Sequence, residues 1–129
     1  MKTTAVNPWT WQDALGFSQA FLVEGGGRVL FCAGQASVDS QGRPLHRGDM
    51  EAQFDQALSN LETVLRQAGM TLQNVVRLNY YVTDMQAFAS AGAHVAQRLG
   101  GCKPPGTLLG VATLFHPDLL IEMEATAAA

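Results

Sequence analysis

The stretch from Asp49 to Asp84 constrains the fold most strongly, because its apolar residues change from a helical period to a strand period. From Met50 onward the apolar side chains recur in steps of three and four, which places them on one stripe of a helix. Asp49 is a suitable N-cap, and Gly69 is a suitable stop because glycine adopts the left-handed conformation without strain. The pattern predicts a helix from about Met50 to Ala68.

The residues after this helix change to a period of two. Past the turn at 69–73, successive side chains point to opposite faces, as they do in a β-strand. One face is apolar enough to lie beneath the helix, whereas the other is mixed and suits a surface shared with a partner or a ligand. The apolar face carries Val76, Leu78, Tyr80 and Val82, and the mixed face carries Val75, Arg77, Asn79, Tyr81 and Thr83. An ordinary helix-on-sheet core explains this unit without any chemistry.

Periodicity also places the elements on either side of this unit. We expect two strands before it, a second helix after it, and a rigid connector with two prolines before two final strands. The expected strands are Phe17–Glu24, Arg28–Ala33, Thr107–Phe115 and Leu119–Thr126, the second helix is Met85–Leu99, the connector is Cys102–Gly106, and residues 1–14 form an extended or loop-like lead. This order predicts an α+β fold with the helices on one face of a sheet.

The low charge content indicates that part of the surface is covered. Only 15% of the 129 residues are charged, against roughly a quarter in typical soluble domains. In addition, the strand that contains Val29 and Ala33 is apolar on both faces, so it needs a cover on both sides. One cover is the helix layer, and the other is expected to be the sheet of another subunit. The length fits one domain, residues 1–129.

Charge and cysteine usage argue against several classes of function. The formal net charge is -3 and the basic residues are scattered singly, so we expect no nucleic-acid partner. The sequence contains neither a signal peptide nor the run of roughly 20 apolar residues that spans a membrane, which favours a cytoplasmic protein without a membrane partner. The two cysteines, Cys32 and Cys102, lack the spacing of a disulfide framework or a metal site.

Few residue patterns in the chain point to catalysis. Nucleophile-elbow, zinc-protease and Walker motifs are absent, and the three histidines lie in separate segments, so we expect no metal. Cys32 fits an inert buried thiol, and Cys102 beside Lys103 is the more reactive candidate. Gln35 either presents its amide to a ligand or satisfies loop backbone. Glu122 is the better catalytic candidate, because an apolar cleft would raise the pKa of a carboxyl group on the last strand.

Several short segments match a known pattern in one order along the chain. They are Phe17-Ser18-Gln19-Ala20, Gly34-Gln35, the helix at 49–68 with Gln53 and Asn60-Leu61, Val75-Val76-Arg77-Leu78, Thr83-Asp84-Met85, Lys103-Pro104-Pro105, Gly110-Val111-Ala112 and Ile121-Glu122-Met123-Glu124-Ala125. Together they resemble the Rid family, the reactive-intermediate deaminases that are also called RidA or endoribonuclease L-PSP. The resemblance implies a chorismate-mutase-like fold with a mixed sheet, and a homotrimer with a barrel-like core and three ligand clefts between neighbouring subunits.

The resemblance also implies a chemistry from which this chain departs. Deaminases of the family hydrolyse enamines and imines that arise from amino acids, and the glutamate that positions water maps to Glu122. They need no cofactor, and none is expected here. The arginine that grips the substrate carboxylate maps to Gly106, so it is missing. Four further pocket positions have lost a polar group or volume, namely Phe17, Ala33, Gly92 and Gly110.

These departures predict a roomier, more apolar cleft for a small molecule other than a simple 2-imino acid. Its floor is expected to be Phe17, Ala33, Leu108 and Gly110, with Gly92, Gly106 and Thr107 beside it, and its polar points are Glu122 and the main chain near Gly34 and Gln35. Two functions stay open: hydrolysis of an imine, enamine or related metabolite, or non-catalytic binding by a chaperone-like trimer. A ribonuclease is supported by the older family label alone. Restoring arginine at Gly106 is expected to improve keto-acid binding.

Overall fold

Strands and helices follow one another in the order of an α+β fold. The computed structural model describes residues 2–15 and 18–129. These residues form seven β-strands and three α-helices. The strands are β1 (Lys2–Val6), β2 (Ala20–Glu24), β3 (Arg28–Cys32), β4 (Gln35–Ala36), β5 (Val75–Val82), β6 (Leu108–Gly110) and β7 (Ile121–Ala128), and the helices are α1 (Met50–Gln67), α2 (Met85–Ser90) and α3 (Gly92–Leu99).

The seven strands of the described residues form one mixed sheet. Its order is β1-β2-β3-β7-β5-β6, and β4 pairs with β7 beyond the end of β3. Neighbouring strands are antiparallel except β5 and β6, which run parallel. Because β3 and β4 share β7 as their partner, Ala33 and Gly34 form a break in the pairing along one side of β7. The predicted α+β class with a mixed sheet is confirmed.

The first helix, α1, packs across the sheet and buries its apolar stripe. The Asp49 carboxylate caps the helix by accepting a hydrogen bond from the Ala52 amide at 3.0 Å, and Gly69 follows the helix with a φ of 70°. The buried stripe lies over the inward residues of β7, which are Ile121, Met123, Ala125 and Ala127. Each fully buried leucine on α1 contributes about 1.5–3 kcal/mol. The predicted first helix and the predicted inward face of the last strand are confirmed.

A buried glutamine on α1 fixes the start of β7. Nε2 of Gln53 donates hydrogen bonds to the carbonyl oxygens of Asp118 at 2.8 Å and His46 at 3.2 Å, and its Oε1 accepts one from the Leu120 amide at 2.7 Å. Buried main-chain groups need such partners, so one side chain holds the loop before β7 against the helix. This contact sets the position at which Glu122 enters the sheet.

The strand β5 contains a bulge that the sequence pattern does not reveal. The pairing of β5 with β7 shifts between Val75 and Arg77, so Val76 is an extra residue. As a result Val76 is 49% exposed, whereas Val75 is 8% exposed and faces the core. The prediction that Val76 belongs to the apolar face is therefore wrong. Leu78 and Val82 are buried as predicted.

Two predicted elements after β5 are shorter than expected. The second helix, predicted over 85–99, breaks at Ala91 into α2 and α3, because the glycine that follows is a poor helix former. The fourth strand, predicted over 107–115, ends at Gly110. Its partner β5 ends at Val82, so no further main-chain groups are available for pairing.

The N-terminal segment contributes more to the sheet than the sequence predicts. The lead expected to be loop-like contains β1, which pairs antiparallel with β2 at one edge. The strand predicted from Phe17 begins at Ala20, and Phe17 itself lies outside the described residues. In the ranges that the structure describes, no helix has the length and apolar content that crossing a bilayer requires.

Candidate functional site

The long antiparallel pair of β5 and β7 presents two different surfaces. Alternate residues lie either under the helices or on the opposite face, which we call the helix-free face. Tyr80 lies under the helices, with its ring centroid 6.2 Å from that of Phe54 and 5.4 Å from that of Phe88. Tyr81 and Glu122 are paired across the two strands and lie on the helix-free face. The sheet therefore stands between two groups of candidate residues.

The first group surrounds Glu122 at the break between β3 and β4. A Cβ atom added at Gly34 would overlap with Oε1 of Glu122, and Cδ of the same side chain would lie 2.8 Å from it. Position 34 therefore leaves room for the carboxylate because it is glycine. Burial raises the pKa of Glu122, and the negative charge of Glu124 raises it further. A carboxyl group that keeps its proton to a higher pH suits general acid–base chemistry.

A hydrogen-bonded cluster lies next to Glu122 on the helix-free face. Oε1 of Glu124 accepts hydrogen bonds from the Tyr81 hydroxyl and, at 3.2 Å, from Nδ2 of Asn79. Oδ1 of Asn79 accepts a hydrogen bond from the Thr107 amide at 3.0 Å. The sequence analysis did not assign this cluster, although its strand pattern placed Asn79 and Tyr81 together on the mixed face. Strand pairing was the missing information.

The second group lines a cavity on the helix side of the sheet. This cavity has a volume of about 410 Å³, which lies in the range of roughly 300–1,000 Å³ typical of small-molecule sites. It lies between α2, α3, β5 and the connector before β6. Gly92, Gly106, Thr107 and Leu108 all border it. Its other walls are mainly apolar and include Leu78, Tyr80, Phe88, Val95 and Leu99, while Lys103 is charged.

Gly106 is held closely against β5. The Leu78 amide donates to the Pro105 carbonyl at 3.0 Å, and the Tyr80 amide donates to the Thr107 carbonyl at 2.9 Å. A Cβ atom at Gly106 would overlap with the carbonyl oxygen of Leu78. An arginine at this position therefore requires movement of the main chain. Contrary to our expectation from sequence, Gly106→Arg does not test carboxylate binding in isolation.

The remaining predicted residues have different surroundings. Gln35 is 3% exposed, and its Nε2 donates to Oε1 of Gln19 at 2.8 Å in the interior. Its amide therefore ties the break after β3 to the segment before β2. Ala33, half-buried, lies in the break itself, and a Cβ at Gly110 would lie 3.5 Å from the terminal methyl of Met85. Phe17, also predicted to bind substrate, lies outside the described residues.

Cys102 and Lys103 border the cavity, whereas the histidines and Cys32 do not. Among the described residues, no three His, Cys, Asp or Glu side chains are placed to hold a metal ion. Nε2 of His94 lies 2.8 Å from Oδ1 of Asp55, and His116 accepts a hydrogen bond from the Asp118 amide at 3.1 Å. Neither histidine borders the cavity. Burial raises the pKa of the Cys32 thiol to about 12, so this thiol is inert, as predicted.

Most of the chain, including both candidate groups, matches one known family. The family model described as Endoribonuclease L-PSP covers residues 12–129. The chain belongs to this family, the Rid family. A RutC family protein of Pyrococcus horikoshii is 36% identical over 111 residues, which make up 86% of this chain and 85% of that protein.

Solved structures of Rid-family proteins share this fold. A member of the YjgF/YER057c/UK114 family from Mycobacterium tuberculosis has a TM-score of 0.82 and 32% identity, over 99% of this chain and 100% of that chain. A Rid-family protein of unknown function from Yersinia pestis has a TM-score of 0.85 and 25% identity, over 99% of this chain and 100% of that one. The chorismate-mutase-like fold is thereby confirmed, and membership of the Rid family supports a small-molecule function in general.

Proposed function

We propose that this Rid-family chain forms a homotrimer and hydrolyses an imine, an enamine or a related small metabolite in a cleft between subunits. One observation carries the proposal. The sheet separates the residues around Glu122 and Gly34, here called the Glu122 half-site, from the cavity at Gly92 and Gly106, here called the cavity half-site. Placing the Glu122 half-site of one subunit against the cavity half-site of the next completes one cleft.

The exposed surface of the sheet supports this assembly. Phe21 and Phe31 are paired across β2 and β3 and are 48% and 54% exposed. Phe31 is also paired with Thr126 of β7, so the apolar surface continues toward Glu122 and Glu124 on the helix-free face. Contiguous exposed aromatic side chains are typical of surfaces covered in an assembly. A second copy of the sheet is the cover that we propose.

Glu122 is the residue to which we assign the chemistry. In the proposed step its carboxylate accepts a proton from water while the water oxygen attacks the carbon of a C=N bond. That proton passes to nitrogen to give a carbinolamine. Glu122 then transfers the remaining hydroxyl proton to nitrogen as the C–N bond breaks, so that ammonia or an amine leaves and a carbonyl compound is formed. This step balances with water as the co-reactant. The raised pKa of Glu122 supports this chemistry, because the group must take up and return a proton in each of the two stages.

The cavity half-site favours a bulky substrate without a carboxylate. Its walls are mainly apolar apart from Lys103, and Gly92 and Gly106 have no side chains to fill it. Losing a buried charge-paired partner costs a carboxylate ligand about 2–5 kcal/mol, or roughly two to three decades of affinity. We therefore expect slow turnover of simple 2-imino acids such as 2-aminoacrylate and 2-iminobutyrate.

The test combines native mass with a substrate panel. We expect the mass of a trimer, and faster release of amine from carboxylate-free imines with apolar groups than from 2-aminoacrylate. Glu122→Gln should abolish turnover, whereas Glu24→Gln on β2 is the matched control and should leave it unchanged. A monomer, or rapid turnover of 2-aminoacrylate by the unaltered chain, would contradict the proposal.

A second variant tests the position of the carboxylate. An alanine Cβ at Gly34 overlaps with the end of a flexible side chain, so Gly34→Ala should displace the Glu122 carboxylate and leave the fold intact. We expect turnover to fall with little change in unfolding. Far-UV circular dichroism and urea unfolding of the same variant are the control for an intact fold. Full activity of Gly34→Ala would exclude the assigned role of Glu122.

The alternative is a non-catalytic, small-molecule-binding or chaperone-like trimer with the same cleft. The apolar residue at Ala33 and the glycines at Gly92 and Gly110 favour it, because these positions offer no polar side chain to a reacting group. It predicts no turnover and unchanged ligand binding in Glu122→Gln. Native mass spectrometry of the purified protein would identify a ligand retained in the cleft and so separate the two functions.

Nucleic acid and membranes are not part of the proposal. The net charge of -3 opposes binding to phosphates, and a ribonuclease would require salt-sensitive RNA cleavage that Glu122→Gln abolishes. We place the protein in the cytoplasm, where its free cysteines, Cys32 and Cys102, would remain reduced. Fractionation of cells that express the chain tests this location.

A further inference from the structure

The cluster of Asn79, Tyr81 and Glu124 has no role in the chemistry assigned above, although it stands beside Glu122. Tyr81 is the cross-strand partner of Glu122, and Asn79 is the cross-strand partner of Glu124. Glu124 lies two residues beyond Glu122 on the same face of β7. Two donors converge on one oxygen of Glu124 and so fix the position of this carboxylate beside Glu122.

Few other charged groups of the described residues share this surface. Of the strands that pair with β7, β5 presents Arg77 and Tyr81 on the helix-free face, whereas β3 presents Phe31 and β4 pairs Ala36 with Glu122. Arg77 is paired with Thr126, and it forms no ion pair within 4.0 Å with a carboxylate of the described residues. Among the described residues, the charge that acts on the pKa of Glu122 is that of Glu124.

We propose that Glu124 is a positioning residue that acts through Glu122, and that Tyr81 and Asn79 hold its negative charge in place beside that group. The charge of Glu124 opposes ionisation of Glu122, so a proton stays on Glu122 to a higher pH. The relevance to turnover rests on the proposed function, whereas the effect on Glu122 itself is independent of any substrate.

Asn79 extends this arrangement to the cavity half-site. Its side-chain amide donates a hydrogen bond to Glu124 through Nδ2 and accepts one from the Thr107 main-chain amide through Oδ1. Asn79 therefore binds Glu124 and Thr107 at the same time. Thr107 borders the cavity. The Asn79 side chain therefore joins Thr107, which lines the cavity, to the Glu124 carboxylate beside Glu122. Within one chain, Asn79 is the physical link between the two half-sites.

The test is a titration of Glu122 in the assembled protein, followed by carboxyl carbon NMR. Glu124→Gln removes the charge and is expected to lower the midpoint of the Glu122 titration. Tyr81→Phe removes one donor from Glu124 and is expected to lower the same midpoint by a smaller amount. In the double variant Tyr81→Phe should add nothing to Glu124→Gln, because the hydroxyl acts through Glu124. Tyr80→Phe, on the opposite face, is the matched control and should leave the midpoint unchanged.

Two results would overturn this inference. One is an unchanged Glu122 midpoint in Glu124→Gln, and the other is a full effect of Tyr81→Phe that persists without Glu124. The pH dependence of turnover supplies a separate readout: the acidic limb of kcat should move to lower pH in Glu124→Gln, whereas KM should stay constant. If Glu122→Gln retains turnover while the NMR midpoint still shifts, the proposed function fails and the action of Glu124 on Glu122 stands.

Discussion

Gly106 is the position at which the smallest substitution is expected to disturb the sheet. In Gly106→Ala, the added Cβ would overlap with the carbonyl oxygen of Leu78, which belongs to the main chain of β5 and cannot rotate away. The connector must therefore separate from β5. That separation weakens the hydrogen bonds between Leu78 and Pro105, at 3.0 Å, and between Tyr80 and Thr107, at 2.9 Å.

The magnitude of this effect follows from these two hydrogen bonds. Each contributes about 0.5–1.5 kcal/mol, so the loss of both lowers the free energy of unfolding by about 1–3 kcal/mol. Alanine restricts the unfolded chain more than glycine does, which offsets about 0.4–1 kcal/mol. The net loss is about 0–2.6 kcal/mol, with a midpoint of about 1.3 kcal/mol, and at that midpoint a domain of this size should unfold at a temperature lower by about 5 °C.

Urea unfolding measures this loss. The protein concentration is held fixed, because the stability of the trimer that we propose would depend on it. Gly92→Ala is the control: its Cβ has nothing within 4 Å, and alanine at the start of α3 should be neutral or stabilising by up to about 1 kcal/mol. Amide hydrogen exchange at Leu78 and Tyr80 should accelerate only in Gly106→Ala. Equal stability of the two variants, with unchanged exchange, would refute the close approach of the connector to β5.

Three further predictions concern Glu122, Gln53 and the two cysteines. The raised pKa of Glu122 gives the folded chain a stabilisation that is complete below the usual pKa of 4.5 and is lost as pH rises through the folded value. Glu122→Gln should therefore be more stable than the unaltered chain at neutral pH, with a gain that disappears in acidic urea titrations. Gln53→Leu leaves three main-chain groups without their partner and should lower the free energy of unfolding by about 2–5 kcal/mol, whereas Gln67→Leu at the exposed end of α1 should not. Iodoacetamide at about pH 8 should label Cys32 more slowly than Cys102, because the thiolate is the nucleophile; equal rates in peptide mass spectra would contradict this.

The parts of the fold that the sequence predicts are those whose position depends on burial of one face. The stripe on α1 and the alternation along β7 each follow from a local period, since a helix or strand with one apolar face has one way to bury it. Asp49 and Gly69 then mark the ends of α1 through their own side-chain and backbone properties. The sequence of each of these elements is therefore sufficient to predict it without knowing which segments pack against it.

The features that the sequence does not predict depend on contacts between distant segments. Val76 follows the apolar pattern, but the bulge that exposes it is set by the pairing of β5 with β7. The cluster at Glu124 likewise requires the register that places Asn79 opposite it. The division of the candidate residues into two half-sites depends on strand order, which a period of two cannot specify. Strand register and strand order depend on segments far apart in the chain, so local periodicity in a single sequence does not predict them.

The Glu122 half-site is arranged at a cost in stability. A half-buried carboxyl group lies beside a second carboxylate, and burial and charge both oppose its ionisation. Its space depends on a glycine at position 34, and Glu124, which supplies the opposing charge, is held by two donors. A glutamine at position 122 has no charge, so at neutral pH it would avoid the unfavourable burial and repulsion of the Glu122 carboxylate while keeping the shape of the side chain. Since packing alone needs neither the carboxylate nor its charged neighbour, their physical effect is to raise the pH at which Glu122 exchanges its proton. The cleft that we propose would use this exchange in both stages of hydrolysis.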